Sequence, residues 1–100
     1  MVLMVTYQKA VRGKSEELKE LNRKWNAVDE RLGLPPQKEY SCMFGGHDSR
    51  TWLYIVEWES MAAIEAGYQR FMADPEAKEL MAQVPDVVES TQYELYAPLE

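Results

Sequence analysis

Two segments of this 100-residue chain are apolar on both faces of a β-strand: residues 1–7 read MVLMVTY and residues 52–58 read WLYIVEW. Side chains of a strand point alternately to the two faces of a sheet, so a half-exposed strand alternates apolar with polar residues. Here both alternations are hydrophobic, and we expect both faces of the sheet to be covered. Helices of the same chain would cover one face. A second copy of the chain is the expected cover for the other.

The first half of the chain predicts two strands and one helix. A strand over residues 2–11 ends before Gly13, and Ser15 is the expected N-cap of the helix that follows. One apolar stripe at three- and four-residue spacing marks this helix, formed by Leu18, Leu21, Trp25, Val28 and Leu32. Gly33 suits the left-handed residue after a helix, and residues 38–44 then predict the second strand.

The second half predicts a hairpin and a broken helix. The polar, Gly-rich residues 45–50 form the turn into a third strand over residues 51–58. Ser60 is expected to cap the second helix. Asp74 is expected to cap a fresh segment of it, and Pro85 to end that segment, because proline lacks the N–H that a helix interior needs.

The last predicted element is a polar strand over residues 87–96, which suits a sheet edge. The resulting order βαββαβ predicts one α+β domain over residues 1–100, a ferredoxin-like antiparallel sheet with two helices on one face. The other sheet face would be a large apolar patch for a soluble monomer. We therefore predict a homodimer that associates through this face, so that its two sheets form a barrel.

Composition excludes several functions. A net charge of −6 disfavours nucleic acid and anionic membrane surfaces as partners, since both are bound by clustered Lys and Arg. The single cysteine, Cys42, excludes an internal disulfide and a cysteine-rich zinc site, and we expect no metal and no cofactor. No apolar run reaches the ~20 residues of a membrane span, and no secretory leader is recognisable, so a cytoplasmic location is expected.

Residues 53–60, LYIVEWES, are followed by a helix start with Ala62, Ala63 and Ala66. This pattern resembles the dimeric α+β barrel superfamily, with its antibiotic-biosynthesis monooxygenase, haem-degrading and stress-responsive branches. The break DPE at 74–76 and the tail ESTQYELY at 89–96 are similar to the NIPSNAP branch. The resemblance implies a barrel-forming homodimer and a ligand site between the helices and the sheet.

Haem-degrading members of that superfamily use an Asn on the first strand, a Trp in the second helix and a His further along it. The first two positions fall here near Thr6 or Tyr7 and near Gly67, and no histidine follows Ser60. The resemblance therefore implies no haem breakdown by that machinery. Any enzymatic activity would at most be that of a cofactor-independent monooxygenase.

Three residues are candidates for catalysis. Glu57 shares a strand face with Leu53 and Ile55, where burial would raise its pKa and make it a general base; alternatively the strand ends there and Glu57 reaches water. His47, the only histidine, would be a proton shuttle or an exposed turn residue. Tyr7 is the third candidate, and in an enzyme Glu57, Tyr7 and Tyr68 would be the groups to mutate.

Aromatic residues would line a pocket for a small, apolar or aromatic ligand, the candidates being Trp25, Tyr54, Trp58, Tyr68 and Tyr93, with Tyr7. The alternative is that they are simply core. Two functions follow. One is ligand binding, with oxygenase- or isomerase-type chemistry on an electron-rich aromatic. The other is a non-catalytic dimeric structural or stress-response module with a filled core. The fold alone does not decide between them.

Overall fold

The computed structural model describes residues 1–100 and shows an α+β fold with one four-stranded antiparallel sheet. Its elements are β1 (Val2–Ala10), α1 (Ser15–Arg31), β2 (Gln37–Ser41), β3 (Thr51–Trp58), α2 (Met61–Ala73), α3 (Pro75–Val87) and β4 (Val88–Tyr96). The predicted ferredoxin-like order is confirmed, with the second predicted helix divided into α2 and α3.

The two segments that are apolar on both faces form the centre of the sheet. The strand order is β2-β3-β1-β4, and β1 pairs with β3 from Val2 opposite Trp58 to Lys9 opposite Thr51. The short β2 and the polar β4 are the edges, as predicted for β4. Central strands form backbone hydrogen bonds with neighbours on both sides. The two strands with the most hydrophobic side chains are therefore also those whose backbone is best protected from water.

Helix α1 buries the predicted stripe, with Leu18 and Val28 each only 1% exposed. It ends where expected, since Gly33 takes the left-handed conformation with φ of 71°. The predicted cap at Ser15 is wrong by one residue. Lys14 holds the N-cap position without a side-chain hydrogen bond, and Ser15 is already helical.

The two later helices begin at the predicted caps. Ser60 Oγ accepts a hydrogen bond from the Ala63 N–H at 3.1 Å, and Asp74 Oδ2 accepts one from the Ala77 N–H at 2.9 Å. The prediction that Pro85 ends the helix is wrong. Proline removes only one hydrogen bond there, and the helix continues two residues further to its end.

Strand β2 stops at Ser41, three residues before its predicted end, and Met43 and Phe44 that follow are exposed. At the other side of the sheet no residue separates α3 from β4, because the helix ends at Val87 and the strand begins at Val88. No helix is both long and apolar enough to cross a membrane. The cytoplasmic location stays a prediction.

Candidate functional site

The two faces of the sheet have different covers. Thr6, Tyr54 and Val56 belong to the face that the helices cover, which is called the helix face below. The intervening residues of the same strands, such as Val5 and Ile55, belong to the opposite face, called the open face. No element of the chain packs along the middle of the open face.

A cavity of about 730 Å³ lies between the helix face and the three helices. Of the 23 residues that line it, 17 are hydrophobic. The five aromatic residues predicted to bind a ligand are all among them: Trp25, Tyr54, Trp58, Tyr68 and Tyr93. Their part in binding stays a prediction, but the structure brings all five to one space.

Two aromatic contacts shape the walls of this cavity. The indole of Trp25 stacks on the ring of Phe71 with 4.8 Å between centroids. The indole of Trp58 lies directly against Gly67, where an added Cβ would come within 2.7 Å of two ring carbons. Trp58 can therefore occupy this place only because position 67 of α2 carries no side chain.

A buried hydrogen bond joins α1 to the sheet at the cavity wall. The side-chain amide of Asn22 donates to the hydroxyl of Tyr54 at 2.6 Å. Burial raises the pKa of Tyr54 to about 12, although the bond from Asn22 acts in the opposite direction. Burial also raises the pKa of Tyr68, whose hydroxyl lies 3.7 Å from the sulfur of Met4. Both phenols are therefore neutral at physiological pH and have protons to donate.

Asp29 of α1 is the only charged residue that lines the cavity. Burial raises the pKa of its carboxyl group to about 6, and no hydrogen bond or ion pair within the protein counteracts this. Sequence reasoning missed both Asp29 and Asn22. A signal was present, because Asn22, Asn26 and Asp29 are spaced four and three residues apart and so form a polar stripe beside the apolar one.

Two buried polar atoms at this site have no hydrogen-bond partner in the protein, the indole N–H of Trp58 and the side-chain oxygen of Gln8. Both residues line the cavity. Buried polar groups are nearly always satisfied, and each unsatisfied one costs about 1–3 kcal/mol. Neither atom is itself exposed on the cavity surface, although other atoms of both residues are part of the wall.

The comparison with protein families agrees with this architecture, since the NIPSNAP family model matches residues 2–100. The chain belongs to the NIPSNAP family. A search of the curated proteins finds no match.

Several solved structures share the NIPSNAP-type fold at low sequence identity. A NIPSNAP domain protein from Burkholderia xenovorans has a TM-score of 0.84 at 12% identity, over 98% of this chain and 94% of its own. A NIPSNAP family protein from Agrobacterium tumefaciens has a TM-score of 0.82 at 13% identity, over 99% and 93%. An antibiotic biosynthesis monooxygenase gives 0.74 at 13% identity, over 100% of both chains. At such identities the similarity concerns the fold alone.

In this NIPSNAP chain the predicted catalytic residues do not reach the cavity. Glu57 lies opposite Leu3 on the open face and is exposed, so the expectation of a desolvated base is wrong. The expected position of Tyr7 in the pocket is also wrong, because Tyr7 points to the open face. The catalytic roles of these residues stay predictions, without support from the geometry of the cavity.

His47 and Tyr7 meet each other instead. Their rings stack with centroids 4.5 Å apart, at the rim of a smaller, polar cavity of about 300 Å³ on the open face. Asp48, expected beside His47, pairs with Lys9 at 2.8 Å. The carboxylate of Asp48 is thus engaged by a lysine and by the turn backbone, with no hydrogen bond to the imidazole.

Proposed function

We propose that this NIPSNAP protein binds a small, flat and mainly apolar ligand in the cavity between the sheet and the helices. The observation that carries the proposal is the volume of about 730 Å³ with its aromatic walls. Ligand pockets of proteins measure roughly 300–1,000 Å³ and combine apolar walls with a few polar groups. The cavity agrees with both criteria.

The size of the cavity favours binding over the alternative of a structural module with a filled core. Protein interiors pack at a density of about 0.75, and voids larger than a few water molecules are rare because their lining atoms lose contacts. A domain of this size would close such a space by packing α1, α2 and α3 more tightly if the space had no use. We infer that the cavity is kept for a ligand.

The polar atoms of the wall indicate how that ligand would be oriented. The polar wall residues Thr6, Gln37 and Tyr68 would supply the few hydrogen bonds that fix its position. Aromatic walls contribute affinity, whereas these polar groups contribute orientation.

The proposal is tested with a neutral probe, 2-naphthalenemethanol, whose binding is followed by quenching of tryptophan fluorescence. Native mass spectrometry and an absorption spectrum of the purified protein reveal any ligand retained from the cell. Val56→Phe fills part of the cavity and is expected to weaken probe binding about tenfold, the effect of losing ~1.4 kcal/mol of contacts.

Val11→Phe is the matched control, because Val11 is also partly buried but lies outside the cavity. It should leave the probe affinity unchanged. Absence of probe binding by the wild-type protein, or equal losses in both variants, would contradict a ligand site in this cavity.

We further propose that two copies associate through the open face. The middle of this face consists of the partly exposed Leu3, Leu53 and Ile55, with Val5 buried between them at 6% exposure, all from the two central strands. Tyr40 and Tyr96 extend it on the edge strands, and both are half-exposed. A contiguous apolar patch of this kind is typical of an interface, and a two-fold axis buries it against itself.

Light scattering tests the dimer, which has twice the chain mass of 11.6 kDa. Ile55→Arg places a charge in the middle of the open face and should shift the mass toward the monomer. Gln69→Arg adds the same charge to the exposed surface of α2 and should leave the mass unchanged. A wild-type mass of 11.6 kDa at micromolar concentration would disprove the association.

A further inference from the structure

The only formal charge on the cavity wall is negative. Asp29 is the only carboxylic acid on the wall, and no lysine, arginine or histidine lines the cavity. The whole chain adds to this bias with its net charge of −6. A ligand carboxylate or phosphate would find no cationic partner inside and would face the carboxylate of Asp29, so the wall selects against acids.

The position of Asp29 on α1 places it beside an aromatic ring. Trp25 and Asp29 are four residues apart, a spacing that makes two side chains neighbours on one face of a helix, and both line the cavity. Cations are recognised by the face of an aromatic ring together with a carboxylate, and tryptophan is the most effective ring. Stacking on Phe71 fixes the ring of Trp25 and covers one of its faces, so a cation would bind over the other face.

The charged residues around this end of α1 leave Asp29 without a counter-ion. Glu39 of β2 is 3.4 Å from the amide of Asn26 and adds negative charge. Arg31 is held by two carboxylates at 2.8 and 3.1 Å, and Arg70 of α2 donates to the carbonyl oxygen of Leu32 at 3.3 Å. The pKa of Asp29 is raised by burial, without a contribution from any of these groups.

We propose that the ligand of this cavity is a flat aromatic or apolar molecule with one positive charge, an amine or amidine, and that this group binds between the Asp29 carboxylate and the Trp25 ring. The inference rests on the proposed function, because it requires a ligand in the cavity. It adds the charge of the ligand and names the residue that selects it. A cation would offset the cost of burying the Asp29 carboxylate, which no group of the protein does.

Three probes with the same ring and different head groups test this inference: 2-naphthylmethylamine, 2-naphthalenemethanol and 2-naphthoic acid, each titrated at pH 7.5. We expect the amine to bind about tenfold more tightly than the alcohol, because it forms a partly desolvated charge pair with Asp29. We expect the acid to bind about tenfold more weakly than the alcohol, because its carboxylate is repelled by that of Asp29. Asp29→Asn should abolish the preference, so that the amine and the alcohol bind with equal affinity.

Glu30→Gln is the matched control, because it removes an adjacent carboxylate of α1 that is exposed and does not line the cavity. It should keep the preference for the amine. If Glu30→Gln and Asp29→Asn reduce the preference equally, the effect is one of overall charge and the inference is overturned.

A pH titration of the wild-type protein provides a test that needs no variant. The amine stays protonated between pH 7.5 and pH 5, whereas Asp29 takes up a proton as the pH falls through about 6. Affinity for the amine should therefore fall as the pH decreases from 7.5 to 5. Affinity for the neutral alcohol should stay constant over the same range, and its titration is the control for pH effects that come from other groups such as Glu39. Equal profiles would overturn the inference.

The outcomes separate the two proposals. If the alcohol binds and the amine binds no more tightly, the charge selection is wrong and the ligand cavity stands. If none of the three probes binds, the ligand site itself is contradicted, and the inference fails with it.

Discussion

The two faces of the sheet come from the same four strands, yet they differ in the kind of apolar residue they present. The open face carries the aliphatic residues Leu3, Val5, Leu53 and Ile55, with Tyr7, Tyr40 and Tyr96 around them. The helix face carries large aromatics among polar groups, with Tyr54 and Trp58 beside Thr6 and Gln8. On the open face the rings surround an aliphatic patch that suits contact with a copy of itself, whereas on the helix face they border a cavity that suits a ligand. Hydrophobicity alone does not distinguish these two uses.

The largest expected difference between the faces is in stability. Leu18→Ala removes a fully buried side chain from the helix side and should lower the free energy of unfolding by about 3 kcal/mol. Leu3→Ala on the open face should cost less in the monomer, and its effect should increase with protein concentration if the dimer forms. Urea denaturation at two protein concentrations measures the loss of stability in each variant. If Leu3→Ala costs the same free energy of unfolding at both concentrations, the expected difference between the two faces is wrong.

A smaller effect is expected where α2 touches the helix face. Gly67→Ala places a methyl group 2.7 Å from the Trp58 indole, so the ring has to move, at a cost of about 1–3 kcal/mol. The displaced indole should also weaken binding of the alcohol probe. Gly46→Ala is the control, since nothing lies within 4 Å of the added carbon. Thermal unfolding that shows no difference between the variants would contradict the close packing.

Burial of Asp29 should make the stability of the protein depend on pH. Burial raises the pKa of Asp29 from its ordinary value of 3.8 to about 6 in the folded state, so the folded state binds the proton more tightly than the unfolded state. The free energy of unfolding should therefore fall as the pH rises from about 4 to 6. Asp29→Asn should therefore raise stability at pH 7.5 by about 1–2 kcal/mol, discounted for the partial exposure of the carboxylate. The gain should vanish below pH 4, and Glu30→Gln should show none.

The smallest effect is expected at Glu57. Glu57→Gln removes a carboxylate that is exposed on the open face, and the affinity of the alcohol probe for the cavity should stay unchanged. A loss of affinity would mean that the two faces communicate, and the separation of their roles would then be wrong.

The sequence predicted most of the fold because the deciding signals are local. Ser60 and Asp74 are helix caps in the structure as they are in the pattern, and Gly33 ends α1. The catalytic residues were not predictable in the same way. Alternation normally tells which side of a strand faces the core, but here both sides are apolar, so Tyr7 and Tyr54 looked equivalent although they face opposite ways.

One part of that error was avoidable from the sequence. Glu57 and Trp58 are adjacent on β3, so they point to opposite faces and do not share one pocket wall. The Asn22–Tyr54 bond and the burial of Asp29 are different, because they depend on how α1 is rotated and placed over the sheet. That placement is fixed by contacts between residues 32 positions apart and has no local signature.

The direct passage from α3 into β4 limits how the cavity can open. With no linker between Val87 and Val88, the helix can swing outward only by pulling the edge strand off β1, which would break a ladder of hydrogen bonds. The opposite edge has no such restraint. There Leu34 and Pro35, between α1 and the five-residue strand β2, line the cavity themselves. The wall residues most exposed to solvent are nevertheless Tyr68 and Met72 of α2 and Tyr93 and Leu95 of β4. A molecule would therefore enter between α2 and the edge strand, at a mouth whose β4 side is tied directly to α3.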